Sequence, residues 1–196
     1  MPSEVLRRFR LAYDISELFR RYFITTMFDS TFVVLGIVAA TAILSDPDVR
    51  VTLGTLAAAV IAIGASTGVS VYEAERVEAD IRMAKLERAM LSELSDTDLP
   101  KQLRLYRTLV SLVNFAAPLL VFALTTIPFF LSMFLGWPGA RHAAYAAIVI
   151  AIIVVFAAGY LLGQVAGRSP VRQGLRMSVA AIATFVLLLG VQLLLR

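Results

Sequence analysis

The sequence contains no cysteine and a single histidine, His142. The first absence excludes disulfides, thiolate metal sites and a thiol nucleophile. The second leaves almost nothing for imidazole metal sites or histidine general-base chemistry. Charge is scarce as well: 16% of the 196 residues are charged, against about 25% in soluble domains. There is no Ser–His or paired-Asp arrangement and no phosphate loop, so no enzyme is expected and no cofactor is implied. The chain is instead 59% hydrophobic with a mean hydropathy of +0.82, which points to an all-α integral membrane protein.

Five apolar runs are long enough to cross a bilayer, for which about 20 residues suffice. They cover residues 22–44, 51–72, 109–135, 142–166 and 175–195, so that 22–196 reads as a five-helix transmembrane domain. Residues 1–21 precede it without the compact apolar core of a cleavable signal peptide. There Leu11, Ile15, Leu18 and Tyr22 recur every three or four residues among Arg7, Arg8, Arg10, Glu17, Arg20 and Arg21. That spacing predicts an amphipathic helix lying at the membrane interface. From Tyr72 to Ser95 there is no Gly or Pro, and Arg76/Asp80 and Glu78/Arg82 are opposite-charge i,i+4 pairs. The second span is therefore expected to continue as one helix from Val51 to about Leu94, making one arm of a cytoplasmic helical hairpin over 73–108. Asp98 is placed to cap the next helix, with Pro100 in its first turn.

Of the 18 basic residues, 15 fall in the N-terminal segment, the 73–108 connection and the 167–176 loop. The positive-inside rule then puts the N-terminus in the cytoplasm and the C-terminus outside, giving a multi-pass protein of the cell membrane. The net charge of +4 is thereby a topology signal, and no nucleic-acid partner is expected. The outer turns are 45–48 and 136–139, with Trp137 suited to the interfacial belt.

One residue breaks the apolar pattern. Asp29 lies inside the first span, about seven residues or roughly 10 Å past Tyr22. An ionised carboxylate within a span costs roughly 2.5–3.5 kcal/mol on insertion scales at its centre. Chains that keep one commonly use it on an ion, proton or substrate path, facing other helices. Thr25, Thr26 and Gly36 share its helical face. The second span carries Thr52, Thr55, Ser66, Ser70 and Glu73 roughly on one face, and the third carries Asn114, Pro118, Thr125, Thr126 and Pro128. Such oxygen ligands suit hard or borderline divalent cations, although small polar residues are also ordinary packing material between membrane helices. The transport path is read as Asp29, Thr25, Thr26, Ser66, Ser70 and Asn114. Beyond the second span, Glu73, Glu75, Glu78, Asp80 and Glu87 form an acidic face, either a cation-collecting antenna or a solvated, salt-bridged surface. Gly64-xxx-Gly68 and Gly159-xxx-Gly163-xxx-Gly167 permit close helix contact, within one bundle or across a dimer.

Several of these segments resemble the vacuolar iron transporter family. They are Arg20-Arg21-Tyr22-Phe23 followed by Phe28-Asp29-Ser30 and Leu35-Gly36-Ile37-Val38; Gly64 to Ser70 running into Glu73-Ala74-Glu75-Arg76; Leu86 to Leu91; and Gly174-Leu175-Arg176-Met177. The likeness covers nearly the whole chain and is nearest to short prokaryotic members. It implies a homodimer that exports Fe²⁺ or Mn²⁺ from the cytosol, in exchange for protons. It places Asp29 on the translocation path and makes Asp29, Glu73, Glu75 and Glu78 the metal-binding residues. The chain departs from the family in having Ser30 after Asp29, in lacking a Glu and a Met between Leu56 and Ala65, and in lacking a long metal-binding insert after the second helix. One carboxylate per protomer makes a poor divalent site, and a dimer axis that brought two Asp29 side chains together would supply a pair able to share a proton. The alternatives are a non-transporting membrane scaffold or assembly protein of the same fold, and an ion or proton channel.

Overall fold

A computed structural model describes residues 2–43, 47–94, 97–136 and 139–194. Among these the chain is built from helices alone: α1 (Pro2–Ile43), α2 (Val49–Met90), α3 (Leu99–Thr125), α4 (Ile127–Leu135), α5 (Ala140–Val165) and α6 (Pro170–Leu194). Five segments are long and apolar enough to cross a membrane: Arg21–Ile43, Val49–Met90, Leu99–Thr125, Ala140–Val165 and Pro170–Gln192. These helices are consistent with a multi-pass membrane protein.

The N-terminal segment and the first span form one unbroken helix, α1, of 42 residues. No break at Tyr22 separates an interfacial helix from a span. The side chains expected to make the amphipathic face, Leu11, Ile15 and Leu18, lie outside the described residues, as do the turn residues 45–46, 95–96 and 137–138.

The second helix also has 42 residues, roughly 63 Å at 1.5 Å per residue. Asp48 starts it: its Oδ1 accepts the backbone N–H groups of Arg50 (2.6 Å) and Val51 (3.3 Å), meeting two donors that have no partner in a first turn. The helix stops at Met90, one turn before the expected Leu94, because Leu91 takes a left-handed conformation (φ 51°). The chain then folds back so that Leu94 N–H reaches Glu87 Oε1 at 3.0 Å. At the start of α3, Thr97 Oγ1 accepts the Leu99 N–H (3.4 Å), while the Asp98 carboxylate turns toward Lys101 Nζ (3.9 Å).

The expected single span over 109–135 is instead divided into α3 and α4 at Thr126. Pro128 has no N–H for the Leu124 carbonyl, and its ring crowds that oxygen. The bonds Thr126 N→Phe122 O and Phe130 N→Thr126 O, each 3.0 Å, carry the helical pattern across the junction. Pro118 sits inside α3 without ending it.

The chain forms two compact units, Met1–Phe23 with Gly64–Ala116, and Ile24–Ile63 with Ala117–Arg196. In the first, α2 and α3 run antiparallel in a fixed register. Gly64 meets Phe115, Ser111 Oγ donates to Gly68 O at 2.7 Å, and the Arg107 guanidinium lies 4.9 Å from the centre of the Tyr72 ring. The glycines make this approach possible. A Cβ on Gly64 would stand 3.0 Å from the Phe115 carbonyl oxygen.

In the second unit, α5 and α6 form a hairpin closed by Gly167 (φ 63°), where Arg168 N–H returns to Gly163 O at 3.0 Å. Gly159 faces Gly174, and a Cβ on Gly163 would come within 2.8 Å of Pro170 Cα. The buried face of α5 is made of small residues, Ala143, Ala144, Ala147, Ala151, Ala158, Gly159 and Gly163 among them, while Val149, Ile153 and Leu161 point outward. Small residues inside and large apolar residues outside is the arrangement suited to lipid, where close backbone packing replaces hydrophobic burial. Gly64, Gly68, Gly159 and Gly163 are thus all engaged in packing within the chain.

Candidate functional site

The residues read as one path fall in the two different units. Asp29, Thr25 and Thr26 belong to the second, and Ser66, Ser70, Asn114, Glu73, Glu75 and Glu78 to the first.

Around Asp29, α1 turns two faces in different directions. Thr26, Ser30 and Thr31 are buried, whereas Thr25, Asp29, Val33 and Ala40 are exposed. The buried hydroxyls bond along their own helix: Ser30 Oγ to Thr26 O at 2.5 Å, and Thr31 Oγ1 to Met27 O at 2.7 Å. A hydroxyl that bonds back to its own helix meets its polar need locally and can sit in an apolar interior. Asp29 does not face neighbouring helices of its unit, as a carboxylate within a span is expected to do. It lies on the outer face of α1, and no hydrogen bond or ion pair among the described residues engages it. Thr26 is turned to the buried face, and Thr25, one turn back, shares the exposed face with Asp29. Gly36, two turns on, is half-buried, with Leu188 of α6 3.6 Å from where its Cβ would be. Gln192, a turn further along α6, donates to Gly36 O at 3.4 Å, and its own Oε1 is enclosed without a partner among the described residues.

In the first unit Ser66 and Ser70 are exposed and Asn114 is buried. The three acidic residues separate sharply. Glu73 and Glu78 are on the surface, in ion pairs with Arg76 (3.7 Å) and Arg82 (3.1 Å). Exposed pairs of this kind contribute about 0–1 kcal/mol. Glu75 is only 8% exposed and takes a hydrogen bond from the Tyr22 hydroxyl at 3.1 Å. No cation pairs with it among the described residues. One α2 turn away, Tyr72 carries the Arg107 guanidinium on its ring face, and Arg107 Nε is enclosed without a hydrogen-bond partner among the described residues. Among the described residues no three His, Asp or Glu side chains converge so as to hold a metal ion.

Tyr22, Tyr72 and Arg107 are legible in the sequence only as span ends and a topology charge. Their one signal is position: Tyr72 precedes Glu75 by three residues, hence on the same helical side, and both tyrosines mark where apolar sequence gives way to charge.

No family model and no curated protein matches the chain.

Proposed function

We propose that the chain is a membrane transporter that exports a divalent metal, Fe²⁺ or Mn²⁺, from the cytosol in exchange for protons, and that it works as a homodimer. The observation that carries this reading is Asp29. It is a carboxylate on the outer face of an apolar helix, roughly 10 Å inside its span, with no partner among the described residues. Facing hydrocarbon, it would stand uncompensated. A second copy apposed on this face of α1 would cover it and bring two carboxylates together, with the Thr25 hydroxyls beside them, as a shared site for a cation or a proton. The resemblance to the vacuolar iron transporter family supports the same reading, with the N-terminus and the α2 extension in the cytoplasm. In that arrangement Glu75 is the stronger entry ligand, because Glu73 and Glu78 already hold arginines.

A second reading draws on the same acidic face. Each of Glu73, Glu75 and Glu78 has a structural use, in an ion pair or under the Tyr22 hydroxyl, as a non-transporting membrane scaffold would require. Mn²⁺ binding by the purified protein separates the two. Saturable binding that is weakened in Asp29→Ala supports the transporter; absence of binding supports the scaffold.

A further inference from the structure

Basic residues are served differently in the two units. In the first, Arg76, Arg82 and Lys101 pair with Glu73, Glu78 and Asp98. The α5–α6 hairpin of the second has no carboxylate to offer, because no Asp or Glu follows Asp98 in the sequence. Its arginines are Arg168 in the turn and Arg172 and Arg176 on α6. All three are exposed, and no hydrogen bond or ion pair among the described residues engages their side chains. Arg176 lies about six residues, or roughly 9 Å, past Pro170, inside the apolar segment Pro170–Gln192. A cation at that depth in a bilayer reaches back to the headgroup layer or is met by an anion. The hairpin itself supplies no anion.

The same side of α6 runs on as hydrocarbon. Gly174, Ser178 and Ala181 are buried, with Gly174 against Phe156 of α5. Arg172 and Arg176 each stand two residues from Gly174, so about 160° round the helix from it, on the side away from α5. Val179, Val186 and Leu187 follow on that side and are exposed. Cationic groups at one end and an apolar line beyond them match the two parts of a lipid.

We propose that this outer face of α6 binds an anionic phospholipid, its phosphate held by Arg172 and Arg176 with Arg168 beside it, and its acyl chain along Val179, Val186 and Leu187. The guanidinium fork suits phosphate oxygens, which it can meet with two parallel hydrogen bonds. A second copy fits this face poorly, because a two-fold contact centred here sets arginine against arginine. The inference needs α6 to cross a bilayer and is independent of metal transport. In the proposed orientation this end of α6 is cytoplasmic, on the side where anionic lipid gives the membrane its negative surface potential.

Titration of the purified full chain in mild detergent with fluorescent phosphatidylglycerol tests this, with fluorescent phosphatidylcholine as the neutral comparison. Wild type should bind phosphatidylglycerol the more tightly. Arg172→Gln and Arg176→Gln should each weaken phosphatidylglycerol about fivefold and leave phosphatidylcholine unchanged. Neither arginine has a partner among the described residues to lose, so both variants should fold. Arg50→Gln removes the same charge from an exposed position at the start of α2 and should change neither lipid. Equal binding of the two lipids by wild type overturns the inference. So does a loss in Arg50→Gln as large as in the α6 variants, which would make the preference one of bulk charge. Displacement of the lipid by excess inorganic phosphate overturns it too, since a free anion would then be the ligand. A loss of dimer in Arg172→Gln combined with Arg176→Gln, at unchanged phosphatidylglycerol affinity, would give the face to a second copy instead. Metal flux plays no part in these readouts, so the exporter can fail its own test without deciding this one.

Discussion

Tyr22 and Glu75, 53 residues apart in sequence, are joined by a hydrogen bond of 3.1 Å from the phenol to the carboxylate. The bond ties α1 to α2 inside the first unit, and it makes Glu75 unlike its acidic neighbours. Tyr22→Phe should leave a buried acceptor unmet and cost about 1–3 kcal/mol. Thermal unfolding in mild detergent measures this. Combining the change with Glu75→Leu should recover much of the loss, because removing both partners leaves no unsatisfied group. A Tyr22→Phe variant as stable as wild type would mean that the bond contributes nothing.

The α5–α6 hairpin depends on glycines where backbones nearly touch. Gly163→Ala would place a methyl 2.8 Å from Pro170 Cα, and backbone cannot yield as a flexible side chain can. Overpacking of this kind costs about 1–3 kcal/mol. Gly54, in α2, has nothing within 4 Å of its would-be Cβ. There Gly54→Ala should stabilise by about 0.5–1 kcal/mol, because alanine loses less freedom in a helix. Opposite shifts of the unfolding midpoint are expected from the same chemical change.

Leu91 ends α2 in a left-handed conformation with its side chain 93% exposed. A branched side chain is strained there and, being in the open, has no packing to lose. Leu91→Gly should therefore stabilise by about 1 kcal/mol, read as a raised unfolding midpoint. A lowered midpoint would show that Leu91 is held by contacts outside the chain.

Much of the helical layout is legible in the residues. The long apolar runs and the stretch beyond Tyr72 without Gly or Pro leave few alternatives to long helices. Their ends are harder to read. Leu91 occupies a position where glycine is usual, so nothing in the sequence marks the stop. Pro118 and Pro128 look alike on paper, yet only the second coincides with a helix boundary. The direction of Asp29 is hidden for a different reason. A helix apolar on nearly every side has no polar face to orient it, and the two threonines beside Asp29, at 25 and 26, belong to different faces. The junction of Tyr22, Glu75, Tyr72 and Arg107 is assembled from three helices, and no local spacing announces it.

Asp29 is the centre of the proposed metal–proton exchanger. The most direct measurement is Fe²⁺ and Mn²⁺ flux into proteoliposomes with a pH-sensitive dye inside, wild type beside Asp29→Ala. Because no hydrogen bond or ion pair among the described residues engages Asp29, the variant should keep the fold and should unfold at no lower a temperature than wild type. Wild type should show metal flux with proton movement in the opposite direction, and Asp29→Ala should show neither. Wild-type flux retained in the variant, or no flux of any divalent metal by the wild-type protein, would contradict the assignment.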